Sequence, residues 1–438
     1  MATAAPSKRA AATRLRRALR TDTGLFRVAV AVVAVHVADD TLIQPQPGTS
    51  AGDHLVSGFV PLALLGLAAW AWPRLPGAGR GAVALVVGVL GLATTVEAVY
   101  YTRAVGPSGD DFTGLLAIPA ALLLLGLGAT TLWRTRRTDG NRPWRYARRA
   151  LLVVAGVLVA NVVVFPIGFA YVVTHTARAV VPPNRLGVAA EDVAFRTSDG
   201  LKLVGWYVPS RNGAAVIVFP GRKGPQRQTR MLARHGYGVL LFDRRGEGNS
   251  DGDPNAFGWG GDRDITAAIA FLEHRPDVDP DRIGGIGLSV GGELMLESAA
   301  KSDGLKAVAS EGAGARAFTD DLEQNSSEGF ERWMAVTFSA VKTGALTVFA
   351  DRAPPANSKS LVGRIAPRPL LLIAAPDSKH GEELNRGYLA AAGEPKALWE
   401  IPESGHVGGL DARPAEYERR VVGFFDRALG GQREARAP

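Results

Sequence analysis

The sequence predicts two parts of different fold class, an all-α membrane domain followed by an α/β domain with a mainly parallel sheet. Long apolar runs rich in Ala, Val, Leu and Gly fill residues 25–175. After residue 190, short apolar strands alternate with helical segments, which is typical of a parallel sheet covered by helices on both faces. Between one such strand and a helix lies the stretch Gly287–Gly291, which reads Gly-Leu-Ser-Val-Gly. The chain of 438 residues is long enough for both domains.

The N-terminal part contains five segments that are each long and apolar enough to cross about 30 Å of hydrocarbon. The first segment is the weakest, because it contains Arg27, His36, Asp39 and Asp40. We interpret these acidic and histidine side chains, and Glu97 in the third segment, as solvated groups near the outer surface. The five predicted spans are Leu25–Ile43, Leu55–Trp72, Gly81–Tyr101, Phe112–Trp133 and Ala150–Val173.

Basic residues alternate from loop to loop along this membrane domain. They cluster in the N-terminal stretch, after the second span and after the fourth span, whereas the two other loops contain only Arg103. Under the positive-inside rule, the N-terminus is cytoplasmic, and five spans place the α/β domain outside the cytoplasm. A count of four spans would put the most basic loop on the wrong side. The alternative that the first segment is a cleaved signal peptide, with Val35–Ala38 as a loose cleavage site, stays open.

Composition excludes several classes of function. The net charge of +8 comes largely from the loops beside the spans, so it indicates membrane topology and not nucleic-acid binding. The absence of cysteine excludes disulfides, thiolate nucleophiles and Cys-ligated metals, and no cofactor is expected. The predicted organisation is a basic cytoplasmic N-terminus over 1–24, a transmembrane helical domain over 25–175, a linker over 176–190, an α/β domain over 191–429 with a cap insert over 312–361, and a tail over 430–438.

Three motifs of the α/β domain carry a resemblance to a known family. They are Gly287–Gly292 (G-L-S-V-G-G), Asp243–Ser250 (D-R-R-G-E-G-N-S) and Ser404–His406 (S-G-H). With these motifs, Glu191–Leu429 resembles the α/β-hydrolase superfamily, most closely the bacterial esterases and peptidases of the dienelactone-hydrolase and prolyl-oligopeptidase-like groups. The resemblance implies an α/β-hydrolase fold and a serine hydrolase activity. The Asp243–Ser250 stretch looks like the family's D-x-R-G-x-G-x-S turn, which we interpret as architecture at the pocket edge.

Ser289 is the predicted nucleophile, because a G-x-S-x-G turn between a strand and a helix holds the serine hydroxyl above the sheet. A serine hydroxyl is a weak nucleophile until a base takes its proton. Of the seven histidines, only His380 and His406 follow Ser289, as the family order of serine, acid and histidine requires. His406 follows the last predicted strand, where the family places its base, so we predict His406 in that role.

The acid of the triad is expected after the predicted strand Pro369–Ala374, where Asp377 lies. A carboxylate at this position would bind the far nitrogen of His406, fix its tautomer and stabilise the imidazolium. The loop lacks the glycine that is common in the family and is shorter than usual. Glu382 and Glu383 therefore remain alternatives to Asp377.

The oxyanion hole requires two backbone N–H groups that point at the developing negative charge. Val290 supplies one by its position after the nucleophile, and Arg222 supplies the other by its position in the turn after the third strand. Pro220-Gly221 stands where many relatives have His-Gly. The side chains of Arg222 and Lys223 are either solvated or directed into the pocket mouth, where they would favour acidic or phosphate-bearing substrates.

These expectations describe a membrane-anchored serine hydrolase that acts on an ester or, second, a peptide bond through an acyl-enzyme. Its expected partners are the lipid bilayer and a small-molecule, lipid or peptide acyl substrate, without nucleic acid. Two alternatives stay open: an acyltransferase, and a hydrolase-fold domain that has lost catalysis and binds a ligand or partner. The altered Pro220-Gly221 and acid loops motivate the second alternative.

Overall fold

The computed structural model describes residues 20–104, 106–136, 141–378 and 380–430. Most of the predicted cytoplasmic N-terminus, including the basic residues from Lys8 to Arg17, and the predicted tail from residue 431 lie outside the described residues. The chain divides into two compact units. One unit comprises Met1–Pro45, Ser50–Ala177 and Gly344–Asp351, and the other comprises Gln46–Thr49, Arg178–Thr343 and Arg352–Pro438.

The N-terminal unit is helical. A π-helical turn, Asp39–Ile43, extends its first helix, and a second π-helical turn, Ala160–Val164, joins its last two. Its α-helices are Asp22–Ala38, Leu55–Ala71, Gly77–Ala93, Val96–Ala104, Asp111–Thr135, Arg142–Val159 and Phe165–Thr174.

Among the described residues, four helical stretches are long and apolar enough to cross a membrane, judged by length and composition. The first of the five predicted spans is not among them. Its α-helix, Asp22–Ala38, has only 17 residues and continues into a turn that begins with Asp39 and Asp40. The four stretches are Ala51–Arg74, Gly77–Ala104, Asp111–Thr135 and Arg142–Thr174.

Small residues allow the helices Gly77–Ala93 and Asp111–Thr135 to pack closely. A Cβ atom added at Gly88 would lie 3.1 Å from the backbone oxygen of Ala121, which is tighter than most Cβ contacts in proteins. Close approach at small residues is the usual basis of helix packing in membrane proteins, where apolar side chains gain little by leaving lipid.

The polar end of the first helix is buried within this unit. The prediction that His36, Asp39 and Asp40 are solvated groups near the outer surface is therefore wrong. The exposed fractions of His36, Asp39 and Asp40 are 3%, 7% and 8%. His36 Nε2 lies 2.8 Å from the backbone oxygen of Thr94, and Thr113 donates a hydrogen bond of 2.8 Å to Asp39. Burial of these polar groups is tolerated because they form hydrogen bonds to neighbouring helices.

The second unit is built on one sheet of eight strands, in the order β1-β2-β4-β3-β5-β6-β7-β8. The pairs β1/β2 and β2/β4 are antiparallel, and every other neighbouring pair is parallel. The strands are β1 Glu191–Arg196, β2 Lys202–Val208, β3 Ala215–Phe219, β4 Gly238–Phe242, β5 Ile283–Leu288, β6 Ala307–Glu311, β7 Leu370–Ala374 and β8 Lys396–Glu400.

Strands β3, β4, β5 and β7 are apolar throughout because helices cover both faces of the sheet. In β3, Val216 and Val218 belong to the core on one face, whereas Ile217 and Phe219 belong to the core on the other. Helices Gln226–Arg234 and Pro414–Leu429 contribute to the first core, and Asp262–Glu273 and Val290–Lys301 contribute to the second. This architecture confirms the predicted α/β class.

Three helices lie in the chain between β6 and β7, the stretch for which the cap insert is predicted. They are Phe318–Gln324, Gly329–Phe349 and Ser358–Val362. The remaining helices of the unit are short, at Asn385–Ala391 after β7 and at Gly409–Ala412 after β8. Because β3 and β5 to β8 are parallel, their carboxyl ends meet at one edge of the sheet, and the loops that follow them lie side by side.

Candidate active site

Ser289 lies on a strained turn between β5 and the helix Val290–Lys301. Its φ of 54° and ψ of −127° are unusual for a residue with a side chain. The turn also brings backbone segments into contact, since a Cβ atom added at Gly287 would lie 2.1 Å from the oxygen of Gly291. Only glycine fits at Gly287, so the G-x-S-x-G spacing is a steric requirement of this turn.

The loop after β8 brings His406 to the serine. His406 Nε2 lies 2.8 Å from Ser289 Oγ, which is hydrogen-bonding distance. The imidazole is 24% exposed, so the pair is open to solvent on one side. The Ser289 N–H donates to the oxygen of Glu311 at 2.8 Å, which fixes the elbow to β6. The structure thus brings together the two residues that the chain order predicts.

The carboxylate that faces His406 belongs to Glu382 and not to Asp377. His406 Nδ1 lies 2.7 Å from Glu382 Oε1, whereas Asp377 is an exposed residue of the loop after β7. The loop continues past Asp377 to Gly381, whose φ of 81° reverses the chain before the 3-10 turn Glu382–Leu384. This reversal turns Glu382 into the interior, which corrects the choice of Asp377. The glycine directly before Glu382 was the available sequence signal.

Glu382 is held as a carboxylate by its hydrogen bonds. Its side chain is 1% exposed, and burial alone would raise its pKa. Hydrogen bonds from His406, from the Ala375 N–H at 2.7 Å and from the Ser378 hydroxyl at 2.8 Å outweigh burial and lower the pKa of Glu382. An ionised acid in this position favours the His406 tautomer that accepts a proton from serine.

A second buried carboxylate, Glu311, anchors the loop that carries His406. It accepts a hydrogen bond of 2.9 Å from the Gly409 N–H and one of 2.5 Å from the Tyr417 hydroxyl. Burial raises the pKa of Glu311, so its protonated form is favoured more than that of an exposed glutamate. The ring of His380 also stacks on His406, with centroids 4.4 Å apart.

The structure corrects the second half of the predicted oxyanion hole. The Arg222 N–H donates to Asp243 Oδ1 at 2.9 Å, so it is already bound to a carboxylate. The guanidinium of Arg222 also binds Asp243, with Nη2 2.6 Å from Oδ2, and the residue is only 4% exposed. The Arg222 side chain is therefore neither solvated nor directed into the pocket mouth, and both predicted alternatives are wrong for this residue.

Two other N–H groups remain as candidate donors. Val290 begins the helix after Ser289, and the first N–H groups of a helix have no acceptor within it. Gly221, one residue before Arg222, makes no N–H hydrogen bond to any residue that the structure describes. Sequence position alone favoured Arg222 as the donor. The sequence could not show that Asp243 accepts the Arg222 N–H, because this contact forms only when the turn after β4 is folded.

The Asp243–Ser250 turn is structural, as expected. The Ser250 hydroxyl donates to the Asp243 oxygen at 2.7 Å and accepts the Val204 N–H at 2.9 Å. Arg245, the arginine of the motif, binds the fully buried Asp264 with its own N–H and its guanidinium. Within the described ranges, no group of three or more His, Asp or Glu side chains has an arrangement that holds a metal ion.

A family model supports the assignment that the sheet order and the elbow suggest. The model of the X-Pro dipeptidyl-peptidases of the S15 family matches residues 178–385, which include Ser289 and Glu382 and end before His406. The C-terminal domain has the α/β-hydrolase fold, and the match supports its place in the hydrolase superfamily. The sequence resemblance is thereby confirmed, together with the helical N-terminal region that precedes the hydrolase domain.

The hydrolase domain is similar to several known proteins and solved structures. YfhR of Escherichia coli is 28% identical over 262 residues, which cover 56% of this chain and 83% of YfhR. The polyketide transferase grgF of Penicillium sp is 36% identical over 124 residues, 25% of this chain and 40% of that protein. The solved esterase Pf2001 of Pyrococcus furiosus aligns with a TM-score of 0.47 at 23% identity, over 58% of this chain and 99% of the esterase.

Proposed function

We propose that this protein is a membrane-anchored serine hydrolase that cleaves carboxylic esters through an acyl-enzyme on Ser289. The observation that carries the proposal is the continuous hydrogen-bond path from Ser289 Oγ through the His406 ring to Glu382. A nucleophile, a base within its reach and an acid that orients the base are the three parts of serine catalysis. All three come from loops at the carboxyl edge of the sheet.

The geometry supports a two-step reaction. As Ser289 Oγ bonds to the ester carbonyl carbon, its proton moves to His406 Nε2, and the carbonyl oxygen becomes an oxyanion near the N–H groups of Val290 and Gly221. The bond to the alcohol then breaks, and the alcohol leaves with the proton from Nε2. Water attacks the acyl-enzyme, gives a proton to Nε2, and the carboxylic acid departs as that proton returns to Ser289.

Peptide cleavage is the second candidate, and the match to the S15 family model favours it over other amide chemistry. The two reactions are separated by turnover of a p-nitrophenyl ester and of an Ala-Pro p-nitroanilide on the same protein. We expect kcat/KM for the ester to exceed that for the anilide. A higher value for the anilide would make the protein a peptidase.

Acyl transfer uses the same acyl-enzyme, with an alcohol in place of water. The observation in its favour is the relative grgF, whose name describes a polyketide transferase. Addition of glycerol or ethanol to the ester assay measures this branch directly. A new ester product at the expense of the free acid would identify a transferase, whereas unchanged acid release supports hydrolysis.

Labelling by a fluorophosphonate probe tests the proposal as a whole. The full-length chain in detergent should be labelled at Ser289, and Ser289→Ala should lose both labelling and ester turnover. Ser302→Ala, at the other end of the helix that follows Ser289, is the matched control and should keep both. Absence of labelling in the wild type, or equal labelling of Ser289→Ala, would leave the inactive binding domain as the better account.

We also propose that the helical unit lies in a membrane and that the hydrolase domain is outside the cytoplasm. Many apolar side chains of this unit are exposed, for example Leu151 at 67% and Val153 at 65%, which is costly in water and favourable in lipid. With a cytoplasmic N-terminus, a hydrolase domain outside the cytoplasm requires an odd number of crossings. The four long apolar stretches supply four of them. We propose that the helix Asp22–Ala38 supplies the fifth together with the turn Asp39–Ile43, which continues it without a break.

A further inference from the structure

The longest helix of the predicted cap insert, Gly329–Phe349, belongs to both compact units. Its residues up to Thr343 cluster with the hydrolase domain, whereas the segment Gly344–Asp351, which contains its last residues, clusters with the helical unit. One continuous helix thus has its two ends in different units. The proposed reaction assigns no role to this helix.

The carboxyl end of the helix is fixed beside two of the long apolar stretches. Asp351 accepts hydrogen bonds of 2.9 Å from the N–H groups of Val56 and Ser57, near the start of the first stretch. The ring of Phe349 packs edge-on against Tyr171, near the end of the fourth stretch, with centroids 5.3 Å apart. Because four crossings return the chain to the side from which they started, these contacts lie at the same face of the proposed membrane.

The other end of the helix exposes two aromatic rings. Phe330 is 63% exposed and Trp333 is 47% exposed, and their rings stack with centroids 5.6 Å apart. In the described part of the hydrolase domain, Val180 is the one other large apolar residue that is exposed to this degree. Ala340 and Gly344 continue the exposed face, since residues seven and four apart lie on one side of a helix. Such a face is unusual in water and typical of a helix beside lipid.

The charged side chains of the helix are directed away from this face. From Trp333 to the end of the helix, Lys342 is the one charged residue, and its Nζ lies 2.7 Å from Asp321 Oδ2 with the side chain only 12% exposed. Arg332 donates to two backbone oxygens of the preceding cap segment. Glu331 lies about 160° round the helix from Trp333. The exposed face is therefore uncharged along its whole length.

We infer that the exposed face of Gly329–Phe349 lies in the interfacial layer of the lipid bilayer. The inference rests on the proposal that the helical unit lies in a membrane. Aromatic and apolar side chains gain free energy between headgroups and acyl chains, whereas Arg332 and Lys342, bonded to the hydrolase domain, keep the helix on the membrane and not across it. The Thr337 hydroxyl on this face donates to the Trp333 oxygen at 2.8 Å, so it needs no water as a partner.

Photo-crosslinking to lipid tests this placement. The photoreactive amino acid p-benzoylphenylalanine is incorporated at Ala340 of the full-length chain, which is reconstituted in phosphatidylcholine vesicles and irradiated. We expect a lipid adduct at this residue by mass spectrometry. Ala270 is the matched control and should form no adduct, because it is an exposed alanine whose helix, Asp262–Glu273, also exposes the charged Arg263 and Glu273.

A charge on the exposed face should weaken the contact. In Trp333→Glu, we expect the yield of lipid adduct at Ala340 to fall several-fold, because a carboxylate is costly among acyl chains. Glu331→Gln changes a charge on the other side of the helix and should keep the wild-type yield. Thermal unfolding shows whether each variant is folded, and Phe330→Glu replaces Trp333→Glu if the latter is not.

A third position separates this inference from the membrane proposal. Val153 is an exposed residue of the helical unit and should form a lipid adduct wherever that unit lies in the bilayer. An adduct at Val153 with equal yields at Ala340 and Ala270 would overturn the inference while the membrane proposal stands. A crosslink from Ala340 to a second copy of the chain, in place of lipid, would also overturn it. If Val153 forms no adduct, the membrane proposal fails and the inference fails with it, whereas fluorophosphonate labelling still tests the hydrolase activity separately.

Discussion

Glu382 meets the requirements of an orienting acid in the folded chain, and Asp377 does not. Glu382 is buried, bonds to His406 and receives two further hydrogen bonds. Asp377 is exposed, where a carboxylate is screened by water and has little effect on a distant ring. A carboxylate orients the imidazole only through direct contact, so the two residues should differ strongly on mutation.

We predict that Glu382→Gln lowers kcat for ester hydrolysis by about 10³- to 10⁴-fold, because the amide favours the wrong tautomer of His406. Asp377→Asn is the matched control and should retain wild-type kcat. Steady-state kinetics on p-nitrophenyl valerate measures both. A large loss in Asp377→Asn together with an active Glu382→Gln would reverse the assignment.

The lowered pKa of Glu382 predicts an acid-dependent stability. A carboxyl group whose pKa is lower in the folded than in the unfolded chain stabilises the fold above its ordinary pKa, here 4.5, and this contribution is lost as the pH falls. Thermal unfolding of wild type and Glu382→Gln should therefore differ most near neutral pH and converge as the pH falls from 4.5 through the lower pKa of the folded state. Glu383→Gln, at an exposed neighbour, should follow the wild type at each pH.

Ser289 and His406 could be predicted from the sequence because a sterically constrained turn and the chain order identify them. Glu382 could only be held as an alternative, since its inward orientation depends on the reversal at Gly381. The second oxyanion donor could not be predicted, because the engagement of Arg222 by Asp243 joins two loops that are distant in sequence. Local motifs were thus sufficient for local geometry and insufficient for contacts between loops.

At the level of secondary structure, the nucleophile elbow depends on glycines that have no room for a side chain. Gly287 faces the backbone of Gly291, and Gly291 faces the backbone of Phe219. Backbone atoms cannot move aside as a flexible side chain can. Other glycines of the domain, such as Gly387 in the helix Asn385–Ala391, have open space around their Cα atoms.

We predict opposite effects for alanine at these two kinds of glycine. Gly287→Ala should destabilise the protein by about 3 kcal/mol or more, because the new Cβ meets a backbone oxygen at 2.1 Å. Gly387→Ala should stabilise it by about 0.5 to 1 kcal/mol, because alanine favours the helix and nothing obstructs its Cβ. Denaturant unfolding measures both, and equal effects would contradict the steric account.

The strands of the α/β domain could be predicted well because alternation of short apolar strands and amphipathic helices is a strong local signal. The helical unit was less predictable. The break between the helices Gly77–Ala93 and Val96–Ala104 falls at Thr94 and Thr95, inside the single predicted span Gly81–Tyr101. The burial of His36, Asp39 and Asp40 was missed because it results from packing against other helices.

For the molecule as a whole, the proposed membrane topology makes the side on which the hydrolase domain lies depend on one helix. If Asp22–Ala38 and its π-helical extension cross the bilayer, the loop after Asp111–Thr135 is cytoplasmic and the hydrolase domain is outside. If they do not, both positions invert. The basic residues of the loop after Asp111–Thr135 favour the first arrangement under the positive-inside rule.

We predict that alkaline phosphatase fused after Pro438 is active in bacterial cells, whereas green fluorescent protein at the same place is dark. Fusions after Arg136, which follows the fourth predicted span, should show the reverse and serve as an internal control. Fluorescence after Pro438 with phosphatase activity after Arg136 would show that the first helix does not cross.

The parallel sheet separates the hydrolase domain into a reactive edge and an inert one. Ser289, Glu382 and His406 all follow carboxyl ends of strands, so the connections at the amino ends take no part in the proposed reaction. Asp303 lies in one of these connections, just before β6, and its side chain is 96% exposed. A fluorophore or a surface tether attached there, through a single introduced cysteine in a chain that has none, would report on or immobilise the protein without obstructing substrate.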